Sequence, residues 1–123
     1  CGAAWDPSGR YLATGGNDNA VCIFDVNAGL QAPLFKMEPG GLPGSHVAAV
    51  KAIAWSPAVP EQLATGGGTA DKTIKLWSLS GDRPQVLASA PAGAQVCALA
   101  WSERAPGRLL STHGFSDNQV CLW

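Results

Sequence analysis

Charge is scarce in this chain of 123 residues: Asp, Glu, Lys and Arg make up 14% of it, where a soluble domain carries about a quarter. The 8 basic and 9 acidic residues leave a formal net charge of −1. No footprint for nucleic acid or an anionic membrane is therefore expected. Aromatics reach only 7% and methionine occurs once. No apolar run approaches the roughly 18 residues of a membrane span. Cys1 is followed by neither a basic segment nor the apolar core of a secretory leader. Long helices are disfavoured too, because 15 glycines and 9 prolines punctuate the chain. Cys1, Cys22, Cys97 and Cys121 contain no C-x-x-C pair, neither His46 nor His113 stands at a metal-ligand offset, and no N-x-S/T sequon appears. These absences point to a reducing compartment, cytoplasm and nucleus, with the cysteines as small apolar fillers. The length suits one small domain, and the ragged ends at Cys1 and Trp123 read as those of a piece of a longer protein.

What the chain does have is a repeat. Three segments end alike: Asp18-Asn19-Ala20-Val21-Cys22-Ile23-Phe24, Asp71-Lys72-Thr73-Ile74-Lys75-Leu76-Trp77 and Asp117-Asn118-Gln119-Val120-Cys121-Leu122-Trp123. In each, apolar residues recur three and five positions after the Asp, the period-2 alternation of a strand. Earlier columns hold Ala3-Ala4-Trp5, Ile53-Ala54-Trp55 and Leu99-Ala100-Trp101, each followed by a turn. Between them stand Leu12-Ala13-Thr14, Leu63-Ala64-Thr65 and Leu109-Leu110-Ser111. The interval is 50 residues from Trp5 to Trp55 and 46 from Trp55 to Trp101. A period of this size with three or four short strands per unit predicts propeller blades. The fold class is thus all-β: about three consecutive four-stranded antiparallel blades of a partial β-propeller over residues 1–123, with units at roughly 1–38, 46–88 and 95–123. The weakest strands to read are the outer ones, near Leu34 to Met37 and Gln85 to Ala88, and the last unit lacks its fourth.

The repeat disposes of a disulfide framework. Cys22 and Cys121 share one column, Cys1 and Cys97 another, and equivalent positions in different blades cannot reach bridging distance. Because each blade is a meander, the turn between its second and third strands shares a face with the turn entering its first. That face should carry Gly15 to Asn19, Gly66 to Asp71 and His113 to Asn118, with the entries around Gly40 to His46 and Ala90 to Gln95. Three blades do not close a ring, so the chain alone is expected to expose blade faces and to be poorly soluble.

These columns resemble a WD-repeat β-propeller. The resemblance implies that His46, Thr65, Asp71 and Trp77 form the family's structural hydrogen-bond set in the middle unit. Ala92 stands where the third unit would need its His, so the link should be missing there. Two turns carry insertions, Gly66-Gly67-Gly68-Thr69-Ala70-Asp71 and Thr112-His113-Gly114-Phe115-Ser116-Asp117. With Ala49-Val50-Lys51-Ala52-Ile53-Ala54-Trp55-Ser56-Pro57 and Gln95-Val96-Cys97, they closely resemble the Fizzy and Fizzy-related proteins, substrate-recruiting activators of the anaphase-promoting complex, a ubiquitin ligase. Ser111-Thr112-His113-Gly114 and Lys51-Ala52-Ile53-Ala54 lean toward the Fizzy-related branch. The resemblance implies that Asn17, Asn19, Thr69 and Gln95 read the KEN (Lys-Glu-Asn) motif of substrates across one face. It places the destruction-box groove and the ligase-docking tails outside this chain. Amides and hydroxyls both donate and accept, so they can satisfy a peptide's polar groups.

Other readings compete for the same residues. Asn17-Asp18-Asn19 is also ordinary turn chemistry, and Asp18, Asp71 and Asp117 read as turn-stabilising. His113 reads as loop packing and the five tryptophans as blade packing. Gly66-Gly67-Gly68 lacks the Lys-Ser/Thr of a phosphate loop, and no G-x-S-x-G elbow occurs. The chain therefore reads as a non-enzyme without metal or cofactor, its alternative function that of a generic WD-repeat scaffold unrelated to ubiquitination.

Overall fold

The computed structural model describes residues 2–29, 31–38, 45–81, 83–105, 107–114 and 120–122. The expectations attached to Cys1, to Asp117 with its turn, to Trp123 and to the entry near Gly40 lie outside them, as does the side chain of Cys121. Three antiparallel meanders follow one another. The first contains β1 (Gly2–Trp5), β2 (Tyr11–Gly15), β3 (Val21–Asp25) and β4 (Phe35–Met37). The second contains β5 (Val50–Trp55), β6 (Gln62–Gly67), β7 (Thr73–Ser78) and β8 (Gln85–Pro91). In the third, β9 (Val96–Trp101), β10 (Leu109–His113) and β11 (Val120–Leu122) pair in order. The only helical piece among the described residues is a 3-10 turn, Val26–Ala28, capped by the Asp25 carboxylate on the Asn27 amide.

Local chemistry accounts for these elements. On β3, Val21, Ile23 and Asp25 are buried and Cys22 and Phe24 less so, the alternation of a half-covered strand. Asp25 is held by Arg10, whose guanidinium meets both carboxylate oxygens at 3.0 and 3.3 Å, a fork geometry that fixes the turn before β2. Asp6 and Ser56 cap the turns after the first strands, Asp6 on the Tyr11 amide and Ser56 on those of Ala58 and Val59. Both outer strands form, but β8 runs three residues past the expected Ala88, because Thr73 and Ile74 pair with Pro91 and Ala90.

The blades join through their first strands. One core cluster includes Ile23, Met37, Val50, Leu63 and Trp77, and a second includes Ala52, Ala64, Ile74, Val96 and Leu109. Each cluster draws on two successive sheets, so the core is the seam between blades. A repeated hydrogen bond pins each seam: Trp55 Nε1 donates to the Ala4 carbonyl and Trp101 Nε1 to that of Ala54, both at 3.0 Å. At the other end of these strands the seam leaves no room for a side chain. A Cβ on Gly15 would lie 2.4 Å from the Val50 carbonyl, and one on Gly66 2.4 Å from Val96 Cγ1. Glycine in this column lets the next blade approach.

Gly66→Ala is accordingly expected to push the second and third blades apart and to lower stability by about 1–3 kcal/mol. Adding Val96→Ala should recover part of the loss. Denaturant melts of the two variants check this, and an unchanged midpoint for Gly66→Ala would contradict the seam.

Candidate peptide-binding face

In the middle blade the turn between β6 and β7 is locked from below. Trp77 Nε1 donates to Thr65 Oγ1 at 2.8 Å, Thr65 Oγ1 meets His46 Nε2 at 2.6 Å, and His46 Nδ1 meets Asp71 Oδ2 at 2.5 Å. His46, Thr65 and Trp77 are all buried. Burial pushes the His46 imidazole below its usual pKa, and the Asp71 carboxylate only partly offsets that. A neutral ring facing a carboxylate carries its proton on Nδ1, so Nε2 accepts from the Thr65 hydroxyl. The chain of donors therefore runs from Trp77 to Thr65 to His46, while His46 also donates to Asp71. Burial alone would raise the Asp71 carboxyl, but bonds from Thr73, His46 and the Val47 amide outweigh it and hold it below the ordinary range. Gly67 is glycine for a matching reason: a Cβ there would sit 2.5 Å from Asp71 Oδ2.

On this scaffold the turns of successive blades meet at one end of the sheets. The Val50 amide donates to the Gly16 carbonyl at 3.1 Å, tying the first blade's turn to the entry of β5. Gly68 N–H reaches the Ala49 carbonyl at 2.9 Å, and Gly114 N–H reaches that of Gln95 at 3.2 Å. Asn17 is exposed and Asn19 half-buried; Asn19 has φ 67°, the left-handed conformation that Asn tolerates best after Gly. The Asp18 carboxylate accepts from the Ala20 amide, which is turn chemistry. One blade further on, Thr69 Oγ1 donates to Gln95 Oε1 at 3.1 Å, bridging the second and third blades. The structure thus brings Thr69 and Gln95 into contact and sets Asn17 and Asn19 on the neighbouring blade at the same end.

Two expectations need correction. Cys97 is exposed, not an apolar filler: β9 passes over it between Val96 and Ala98 in pairing with β10, so its thiol turns to the surface and accepts weakly from Gln95 Nε2 at 3.4 Å. His113 is not in a loop. It ends β10 opposite Val96, is 6% exposed, and its Nε2 lies 2.7 Å from Ser111 Oγ. The third blade does lack a histidine at Ala92, yet an imidazole still reaches the hydroxyl equivalent to that of Thr65. Its Nδ1 has no hydrogen-bond partner among the described residues. A signal was present in the sequence, since a polar His two residues beyond Ser111 continues the buried alternation of β10.

The opposite end carries different chemistry. A cleft of about 160 Å³ there is lined by residues that include Asp6, Pro7, Ser56, Pro57 and Glu61. Among the described residues no three His, Cys, Asp or Glu side chains converge as metal ligands would.

Comparison with known proteins agrees with this geometry. The family described as WD domain, G-beta repeat matches residues 1–25 and 40–78. WD repeat-containing protein srw1 of Schizosaccharomyces pombe is 45% identical over 97 residues, which is 79% of this chain and 16% of that protein. The anaphase-promoting complex subunit cdc20 of Dictyostelium discoideum is 46% identical over 79 residues, 63% of this chain and 15% of its own length. The APC/C activator protein CDH1 of Saccharomyces cerevisiae is 37% identical over 97 residues, 79% of this chain and 15% of its own. The chain thus spans about a sixth of the length of these relatives. A chain in the crystal structure of a mitotic checkpoint complex superimposes over 100% of this chain and 34% of its own, with 42% identity and a TM-score of 0.87.

The buried His46 sets a sign for the acid response. Its folded pKa lies below the unfolded 6.5, so acidification protonates the unfolded chain first and stability falls as pH drops through 6.5. Asp71, also depressed, adds a further loss only near and below 3.8. Denaturant melts at about pH 7.5 and about pH 5.5 should show this loss, and His46→Gln should be less stable but flatter between the two. Equal slopes for both proteins would contradict the buried neutral imidazole.

Proposed function

The chain belongs to the WD-repeat family, and within it to the Fizzy and Fizzy-related proteins; from that premise we propose that it is the degron-reading face of an activator of the anaphase-promoting complex. The observation that carries this reading is the Thr69–Gln95 hydrogen bond at the same end of the sheets as the Asn17–Asn19 turn. Together these side chains offer amide and hydroxyl groups on Gly-rich turns that an extended peptide can approach closely.

A KEN motif suits such a surface. Its Lys and Glu cancel in charge, so recognition does not need a strongly charged face, and its Asn side chain and backbone want partners that both donate and accept. With Thr69 donating to its Oε1, Gln95 turns its NH2 group to Cys97 Sγ and keeps a second N–H for an acceptor on a peptide, an assignment that follows the hydrogen-bond network. A substrate lacking the motif would leave these groups poorly paired, at about 1–3 kcal/mol per buried group. The proposed action is recognition without bond chemistry. The face holds the substrate while the ligase supplies ubiquitin, and the gain is one of effective concentration. No cofactor is assigned, and the site of action is the cytoplasm and nucleus.

Fluorescence anisotropy of a labelled KEN peptide with the intact protein tests this. The variant Asn17→Ala/Asn19→Gly keeps the left-handed turn position while removing both amides, and should weaken binding about tenfold or more. Changing KEN to Ala-Ala-Ala in the peptide should do the same. Equal binding of all four combinations would remove the degron reading and leave a scaffold with another surface.

A further inference from the structure

We propose that His113 is the positioning residue for Gln95, replacing from strand β10 the loop histidine that the third blade lacks. The proposal rests on the reading of Gln95 as a peptide contact and adds to it the residue that holds this contact in place.

The two blades can be compared position by position. Thr65 pairs with Ile53 and Ser111 with Leu99; Gly67 pairs with Val50 and His113 with Val96. Both first strands pass over one residue just beyond that last pair, Lys51 in one and Cys97 in the other. His113 therefore occupies the place of Gly67. In the middle blade no side chain fits there, because the Asp71 carboxylate fills the space. In the third blade the same place holds an imidazole that reaches the strand hydroxyl through Nε2 at 2.7 Å, where His46 Nε2 reaches Thr65 at 2.6 Å. The same ring atom meets the same hydroxyl column, presented by the entry loop in one blade and by the strand itself in the other. The two arrangements exclude each other at this position.

What His113 supports lies directly above it. The next residue, Gly114, donates its N–H to the Gln95 carbonyl. A Cβ on Gly114 would lie 2.9 Å from both Gln95 Nε2 and Cys97 Sγ, so the Gln95 side chain rests on the bare backbone at 114. From there it accepts from Thr69. The series Ser111, His113, Gly114, Gln95, Thr69 thus runs without a gap from the buried strand to the exposed face. An imidazole anchored at 113 sets the height and tilt of the platform under Gln95.

The test is a double-mutant cycle on the intact protein, with KEN-peptide affinity as readout well below the melting temperature. His113→Ala should weaken the peptide about three- to tenfold in the wild-type background and have no further effect once Gln95→Ala is present. Ala92→His/His113→Gly, which restores the loop histidine, should return most of the affinity. The Gln95 side-chain NH2 resonances give a second readout: they should shift in His113→Ala and return in the transplant. If His113→Ala and Gln95→Ala lose affinity additively, or the Gln95 resonances stay unmoved in a folded His113→Ala, the proposal is wrong. If His113→Ala does not fold, His113→Gln and the transplant carry the same cycle. Should wild type itself fail to bind KEN, the degron reading falls, and the Gln95 resonances still decide the role of His113.

Discussion

A neutral imidazole buried between a hydroxyl and a carboxylate is the interaction on which the middle blade depends. His46 comes from the entry loop, Thr65 from β6, Asp71 from the turn and Trp77 from β7, so one chain of hydrogen bonds ties four stretches of sequence together. Every member has a partner, which is the condition for a buried polar network to stabilise a core instead of weakening it. Removing one member would strand the others in a dry interior. The turn that carries Thr69 is held by this network together with its own backbone bonds, in which the Gly68 carbonyl accepts from Asp71 and Lys72.

Between blades the constraint is steric. The Gly15 and Gly66 positions let Val50 and Val96 of the following blade come close, while Trp55 and Trp101 each donate to a carbonyl on the first strand of the preceding blade. Contacts at both ends of the first strands leave little freedom for one blade to tilt against the next. That rigidity matters for the proposed peptide recognition, since Thr69 and Gln95 belong to different blades and touch only if the seam keeps its angle.

Much of this was legible in the residues. Period-2 alternation identified the third strand of each blade, and the recurring Trp, Thr/Ser and Asp columns placed the first two strands and set the blade order. The resemblance supplied the identities of His46, Thr65, Asp71 and Trp77. What stayed hidden depended on register. A strand that skips one residue turns Cys97 outward, and no property of a cysteine announces that skip. The absent histidine at Ala92 was visible, but its replacement needed the knowledge that position 113 falls in the place of Gly67. The extra length of β8 likewise follows from pairing with Thr73 and Ile74, since Ser89, Ala90 and Pro91 are poor strand formers in themselves.

In the proposed reading, one end of these sheets forms a single polar surface for an extended peptide. Amide hydrogen exchange of the intact protein, with and without a saturating KEN peptide, would locate that surface. Slowed exchange should appear in the turn from Gly15 to Asn19, in Gly66 to Asp71 and around Gln95, with none in the Ser56 to Glu61 turn at the opposite end. Protection confined to that opposite turn, or no protection on either end despite bound peptide, would rule the surface out.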